Sequence, residues 1–586
     1  MTAAGIWIAR LREGVFGKTP SFFGIKSYTK IKNMDNYCER FIQSEEYIEF
    51  ILREDEYTRR ALEPFDDYCV SRISPKWMIA SFNTKYISNT TNEALTYENL
   101  PKLYGLSDIN ALNSTGVTAV REQPVLGLYG QSTHIAIIDT GINWRHEAFI
   151  NEDGTTRIEV MLDQETDTIY TAADINRALR GEETDIPLDD IGHGTYMAGI
   201  AAGKTNRAAG FSGVAPYAGI IVVRLKQAKQ FLRDFYMIRK DVPAYSESDI
   251  MRAIAFVSKY IETMRITVSY VLGLGTSLGS HIGASPLCDM LSDEARIPGR
   301  CVTVAGGNEG NERLHFSGKV TGAEPQRVEI RVGEGERGFT CELWSFAPEV
   351  YSVEIISPSG QVINKLPVRT ERSTILTFFF EDTTVDIYYK IFDGHSGQNF
   401  VAIRFDNPAA GIWTLNVYGR DLTSGNYDIW IMNRDFLTAD TYFVSSDPYT
   451  TITNPANKET CICVTAYDNR NNSIYLKNSR GYNALELIRP DFVAPGVELI
   501  APGAYGTNGY ETVSGGSIAA AFYGGFAALL LEYGIVRGRV PFMRTTEIRN
   551  ITISGCVRRD GIVTPNREWG FGAVNLYNSL ENLRKE

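Results

Sequence analysis

The stretch Ile135-Ala-Ile-Ile-Asp139-Thr-Gly141 is an unbroken apolar run that ends on an acid and a glycine. A strand buried on both faces reads in this way, because neither side of it alternates with polar residues. Ile220-Ile-Val-Val223 and Cys301-Val-Thr-Val-Ala305 repeat the pattern. Between them Ser248 and Asp249 offer a cap and an acidic first turn for a helix expected over Ile250 to Thr263. Buried strands alternating with helices from about residue 105 predict an α/β domain built on a doubly wound parallel sheet.

Outward from this region the pattern changes twice. Between about 320 and 445 the helical signals stop. Strand-like segments follow one another instead: Val328 to Val332, Val353 to Ile356, Ile375 to Phe380, Val385 to Ile391, Phe400 to Phe405, Ile412 to Tyr418 and Tyr427 to Ile431. Turn signals such as Ser357-Pro-Ser-Gly360 and Ser424-Gly-Asn426 separate them, so 320–445 is expected to be an inserted all-β sandwich. The α/β signature resumes near residue 459, giving a split domain of 105–319 and 446–586. Towards the N-terminus, 34–104 reads as a small α+β unit with an acidic helix-like segment, Asp35 to Arg59, and a strand at Trp77 to Phe82. The polar stretch Ser88 to Glu93 suits a linker. Residues 1–33 are a basic extension without periodicity, and Met34 is an alternative start.

With 44% hydrophobic and 22% charged residues among 586, the chain can bury a large core. Asp and Glu outnumber Lys and Arg by 70 to 58, a net charge of −12 that argues against nucleic acid or an anionic membrane surface as partner. No apolar run approaches the roughly 18 residues of a membrane span, the longest near the C-terminus being Phe526 to Leu531. No secretory signal is recognisable, which leaves a cytoplasmic or spore-associated location in a bacterium as the leading expectations. Eight cysteines are too sparse for a disulfide scaffold, and Cys461 and Cys463, two apart on an apolar strand, read as small core residues. No metal and no cofactor are expected.

Three short segments carry chemistry. Asp139 ends a buried strand, where sites collect in open α/β sheets. Gly192-His193-Gly194-Thr195 brackets a histidine with glycines that leave room beside the ring. Ser514-Gly-Gly-Ser517-Ile-Ala-Ala-Ala521 sets a serine at the exit of a tight turn and the start of an Ala-rich helix, whose dipole favours a developing oxyanion. Each alone has a bland reading: a turn cap, a satisfied core histidine, an N-cap serine. Asp, then His, then Ser is a known order for a hydrolase triad, and it argues against the Ser–acid–His order of α/β-hydrolase esterases.

Together the three segments resemble the signatures of the subtilisin-like serine proteases, the subtilases. The resemblance covers about residues 105–586 apart from the insertion. It implies a serine endopeptidase acting on protein or peptide substrates, with Asp139, His193 and Ser517 as triad. It also implies an oxyanion-stabilising Asn308 within Ala305-Gly-Gly-Asn-Glu-Gly310, and Gly273-Leu274-Gly275 as the segment pairing with substrate main chain. Asn308 and Ser517 are 209 residues apart, and the 320–445 block accounts for the surplus.

Phe149 to Arg157, Gly275-Thr-Ser-Leu-Gly-Ser-His281 and Ala527 to Ile535 are similar to the germination-specific, Csp-type subtilases of spore-forming clostridia. That group implies a jelly-roll insertion between the oxyanion Asn and the Ser. It also implies a self-cleaved N-terminal prodomain that stays bound as an inhibitor, and a substrate that is the precursor of a spore-cortex lytic enzyme. Some of its members have become pseudoproteases, so a binding or signalling module without turnover is the alternative function. Three positions depart from the usual subtilase pattern: Gly516 for Thr, Ala521 for Pro and Tyr196 for His. Gly516→Thr is expected to raise kcat if residue 516 has a negative φ.

Overall fold

A computed structural model describes residues 38, 41, 44, 46–62, 65, 67–84, 97–104, 112–368, 372–438 and 440–585. The N-terminal extension, Met34 and the Ser88–Glu93 linker lie outside the described residues.

The N-terminal unit is an antiparallel sheet of β1 (Tyr47–Arg53), β2 (Tyr68–Arg72) and β3 (Trp77–Asn83) in the order β1-β3-β2, with helix α1 (Glu56–Leu62) between the first two strands. The helix expected over Asp35 to Arg59 is therefore corrected: its described second half is mostly strand. The reason is visible in Tyr47-Ile-Glu-Phe-Ile-Leu-Arg53. Ile48, Phe50 and Leu52 point one way and Ile51 the other, each into a different apolar cluster, which is a period of two. A disulfide joins Cys38 to Cys69 within this unit.

The central sheet has nine strands: β4 (Thr133–Asp139), β5 (Ile158–Asp163), β6 (Thr168–Thr171), β7 (Gly219–Arg224), β8 (Thr267–Leu272), β9 (Arg300–Ala305), β10 (Ile462–Asp468), β11 (Ser473–Ile474) and β12 (Phe492–Pro495). The order is β11-β10-β9-β8-β4-β7-β5-β6, with β12 also pairing with β10. All pairings are parallel except the two edges, β6 and β11. Helices α2 (His193–Ala202), α3 (Glu247–Met264), α4 (Pro286–Ala295) and α5 (Gly516–Leu531) cover both faces. Ile135, Ile137, Ile220 and Val222 pack with α2 and α5, while Ala136, Ile138, Ile221 and Val223 pack with α3 and α4. That division explains the unbroken apolar runs. Cys461 and Cys463 join the α3–α4 side, where burial pushes the Cys461 thiol up to about 12.

α3 begins earlier than expected, at Glu247, with Ser246 before it. Tyr245–Ser246 forms a two-residue strand paired with Leu103–Tyr104, and it runs straight into the helix. With the π-turn that follows it, α5 is long and apolar enough to cross a membrane by length and composition, well beyond Phe526 to Leu531, but 89% of that span is buried inside the protein.

Between β9 and β10 the chain builds two antiparallel sheets. The six-stranded one runs His315–Lys319, Asn426–Ile431, Gly338–Phe346, Gln398–Asp406, Thr383–Lys390, Arg372–Phe378. The five-stranded one runs Val362–Ile363, Val350–Ile356, Gly411–Arg420, Gln326–Val332, Tyr442–Phe443. Leu343, Ile403 and Ile429 of the first meet Val328, Val353 and Leu415 of the second in one core. The same cluster takes in Ile48, Phe50 and Phe82 of the N-terminal unit, so the sandwich is packed into the molecule and does not hang from it.

Candidate active site

Asp139, His193 and Ser517 meet at the carboxyl ends of the parallel strands. Asp139 is the last residue of β4, His193 the first of α2, and Ser517 the second of α5. His193 Nδ1 lies 2.7 Å from Asp139 Oδ1, and His193 Nε2 lies 2.9 Å from Ser517 Oγ. All three residues are buried. A carboxylate can only accept, so Nδ1 carries the proton and Nε2 is left to accept the serine hydroxyl.

Local glycines make this approach feasible. A Cβ on Gly194 would stand 2.3 Å from the Gly141 carbonyl oxygen, so only glycine lets the first turn of α2 press against the Asp139-Thr-Gly141 turn. Gly192 before it has φ of 94°, a left-handed conformation. Asp189 fixes the loop, accepting from Gly192 N at 2.8 Å, Thr195 N at 2.9 Å and Thr195 Oγ1 at 2.8 Å. Sequence reasoning missed Asp189. Its signal was an acid three residues before the Gly-His-Gly turn, in the position of a turn cap.

Asn308 follows β9, the neighbour of β8 in the sheet. Its Oδ1 accepts from Gly516 N at 3.1 Å. Since a backbone N–H must meet the amide oxygen, the Asn308 Nδ2 is the end left to donate. Ser517 N belongs to the first turn of α5, where backbone N–H groups have no intrahelical partner. Gly273, Leu274 and Gly275 leave the end of β8 beside these groups. A Cβ on Gly273 would come within 2.8 Å of Ser517 Cβ, and one on Gly275 within 2.3 Å of Thr453 Oγ1.

The segment 273–275, Asn308 and Thr453 line a cleft of about 300 Å³ with Glu309, Glu312, Tyr475 and the insertion residues Asn433, Arg434 and Asp435. Glu309 is 9% exposed. Burial, reinforced by the Asp435 carboxylate, pushes its carboxyl up to about 8. Glu309 and Asn433 were not legible as cleft residues beforehand.

The profile of the subtilase family matches residues 130–325 and 424–572, more than half of the chain. The chain belongs to the subtilase family. The match stops at 325 and resumes at 424, leaving out most of the β-sandwich, as an insertion into a subtilase requires. The CspB protease of Clostridium perfringens has 28% sequence identity and a TM-score of 0.73, covering 80% of this chain and 96% of its own. The Csp-type resemblance is thereby borne out. The subtilase-type proteinase psp3 of Schizosaccharomyces pombe is 24% identical over 274 residues, 47% of this chain. That match spans about half (49%) of the curated relative's own length.

The three departures from the subtilase pattern are accommodated differently. Ala521 is buried in α5. Tyr196 turns outward, its hydroxyl donating to Glu511 at 2.6 Å. Gly516 opens α5 without a left-handed φ, and a Cβ there would meet Asn308 Oδ1 at 3.3 Å.

Proposed function

We propose that this subtilase is a serine endopeptidase with Ser517 as nucleophile. The observation that carries the reading is the continuous chain from Ser517 Oγ through His193 to Asp139, at 2.9 and 2.7 Å. Ser517 Oγ bonds to the scissile carbonyl carbon while its proton passes to His193 Nε2. Asp139 holds the imidazole tautomer and stabilises the imidazolium. Asn308 Nδ2 and Ser517 N donate to the oxyanion of the tetrahedral intermediate. Collapse breaks the C–N bond, and His193 returns its proton to the leaving amine. Water then attacks the acyl-enzyme by the same route and restores the serine. The Gly273-Leu274-Gly275 segment pairs with the main chain of an extended protein or peptide substrate.

The first substrate is the chain itself. Leu103 and Tyr104 pair antiparallel with Ser246 and Tyr245, just ahead of α3, as a bound extended peptide would. The cut falls in 105–111, immediately beyond that pairing. The released N-terminal unit then stays seated as an inhibitor, which its shared apolar cluster with the insertion and the helix Gln230–Phe235 supports. N-terminal sequencing of purified wild type and Ser517→Ala tests both parts. A new N-terminus between 105 and 112 in wild type alone is expected. Equal processing of the two, or none in either, would refute self-cleavage.

A further inference from the structure

We infer that the inserted sandwich is part of the substrate-binding machinery, with Asn433 as the positioning residue that fixes the Gly273–Gly275 segment. The inference rests on the endopeptidase reading above and adds to it a residue outside the α/β domain. Asn433 stands two residues beyond the strand Asn426–Ile431 and is buried at 6% exposure. Its Nδ2 donates to the Gly275 carbonyl at 2.8 Å, and its Oδ1 accepts from Ser277 N at 2.7 Å. One side-chain amide thus pairs with the segment as a neighbouring strand would.

The next residue holds the opposite wall of the cleft. Arg434 N donates to Glu309 Oε2 at 3.2 Å, and Glu309 directly follows Asn308. A single turn of the insertion therefore spans both sides of the cleft. Downstream, the Gly275-to-His281 loop meets the insertion repeatedly. Gly279 N donates to Glu342 at 2.7 Å, Ser280 Oγ donates to Gln398 at 2.7 Å, and the His281 ring stacks on Trp430 at 3.9 Å.

The segment needs such an anchor. Two of its three residues are glycines, with no side chain to pack and the largest conformational freedom of any residue. Space forbids replacing them, because Ser517 and Thr453 stand where a Cβ would go. Rigidity must come from a partner, and Asn433 supplies it where the carbonyl of Gly275 is set. The insertion thereby acts on extended substrates and leaves the bond-breaking groups untouched.

The test uses full-length protein and three readouts: the rate of labelling by a small fluorophosphonate, kcat/KM on a single-residue ester, and kcat/KM on a tetrapeptide amide. Asn433→Ala is expected to leave labelling and ester hydrolysis within about twofold. Tetrapeptide kcat/KM should fall about tenfold, mostly through KM, the magnitude of a lost buried hydrogen-bond pair. Asn433→Asp preserves the shape and the acceptor for Ser277 N but loses the donor to Gly275. It should show the same loss of tetrapeptide preference, and it serves if the alanine variant does not fold. Arg327→Ala, an exposed change in the insertion whose side chain pairs with Glu329 and not with the Gly275-to-His281 loop, should leave the tetrapeptide-to-ester ratio unchanged. An unchanged or increased ratio in both Asn433 variants would overturn the inference, as would an equal fall in all three readouts. Absence of labelling in wild type from which the cut N-terminal unit has been displaced would instead remove the endopeptidase reading, and the positioning role with it.

Discussion

Gly516 and Asn308 are joined across the cleft: the backbone N–H of the residue before the nucleophile donates to the side-chain oxygen of Asn308 at 3.1 Å. The bond orients the amide so that Nδ2 is the free donor. It also ties the oxyanion group to the start of the helix that carries Ser517. If Asn308 works in the transition state, Asn308→Ala lowers kcat by about 10²–10³ and leaves KM nearly unchanged. Steady-state kinetics on a peptide substrate check this, and a change confined to KM would assign Asn308 to ground-state binding.

The same contact constrains position 516. The backbone there tolerates a side chain, so the condition of a non-positive φ is met, but a Cβ would press on Asn308 Oδ1 at 3.3 Å. Gly516→Ala is expected to lower kcat about five-fold, the equivalent of about 1 kcal/mol of hydrogen-bond alignment, without changing KM. Gly516→Thr adds the same Cβ, so in place of the raised kcat that the subtilase pattern alone implies it should also fall below wild type, though by less than Gly516→Ala. If both variants match wild type, the Gly516–Asn308 bond does not matter to turnover.

Glu309 makes stability fall with pH. Its carboxyl is raised to about 8 in the fold and has an ordinary carboxylate value when unfolded, so the folded state binds the extra proton between the two. The stabilisation is complete below about pH 4.5 and is lost as pH rises through about 8. Denaturant midpoints measured across pH 5 to 9 should decline in wild type and flatten in Glu309→Gln. Equal slopes would mean that the carboxyl is already ionised in the fold.

Glu49 on β1 enters a basic site in the subtilase body, with Lys229 Nζ at 2.8 Å and Arg252 at 3.8 Å. Lys229 also donates to the carbonyls of Phe41 and Tyr47. Breaking such a buried pair leaves an uncompensated charge and costs about 3–5 kcal/mol. Glu49→Ala should therefore release the cut N-terminal unit on size-exclusion chromatography, whereas the wild-type pair co-elutes. The Glu49 carboxyl is held below its ordinary value, so the pair holds above about pH 4.5 and weakens as pH falls through the lowered value. Co-elution of the Glu49→Ala fragments would show that apolar packing alone retains the unit.

The parts of the site legible in sequence are those where local chain geometry and chemistry coincide. Asp139, His193 and Ser517 each sit at a strand end or a glycine turn, and although each alone has a bland reading, their order along the chain makes the triad legible. Asn433 carries no such signal: its partner Gly275 is 158 residues away, and an asparagine after a strand is an ordinary turn residue. The strand Gly338–Phe346 was hidden for a related reason. Phe339, Cys341 and Leu343 alternate correctly, but Thr340 and Glu342 on the other face are buried as well, Glu342 accepting from Gly279. In β1 the surrounding acidic residues suggested an exposed helix, and the interior position of Glu49 depends on Lys229, which no local pattern reveals.

Whether Ser517 is the nucleophile is tested most directly by intact-mass and peptide mapping after treatment with a fluorophosphonate. Wild type should gain one adduct, located on Ser517, with Ser517→Ala gaining none and Asp139→Asn reacting about 10⁴-fold more slowly. Folded wild-type protein that takes up no adduct once its cut N-terminal unit has been displaced, or that carries the adduct on another residue, would contradict the triad.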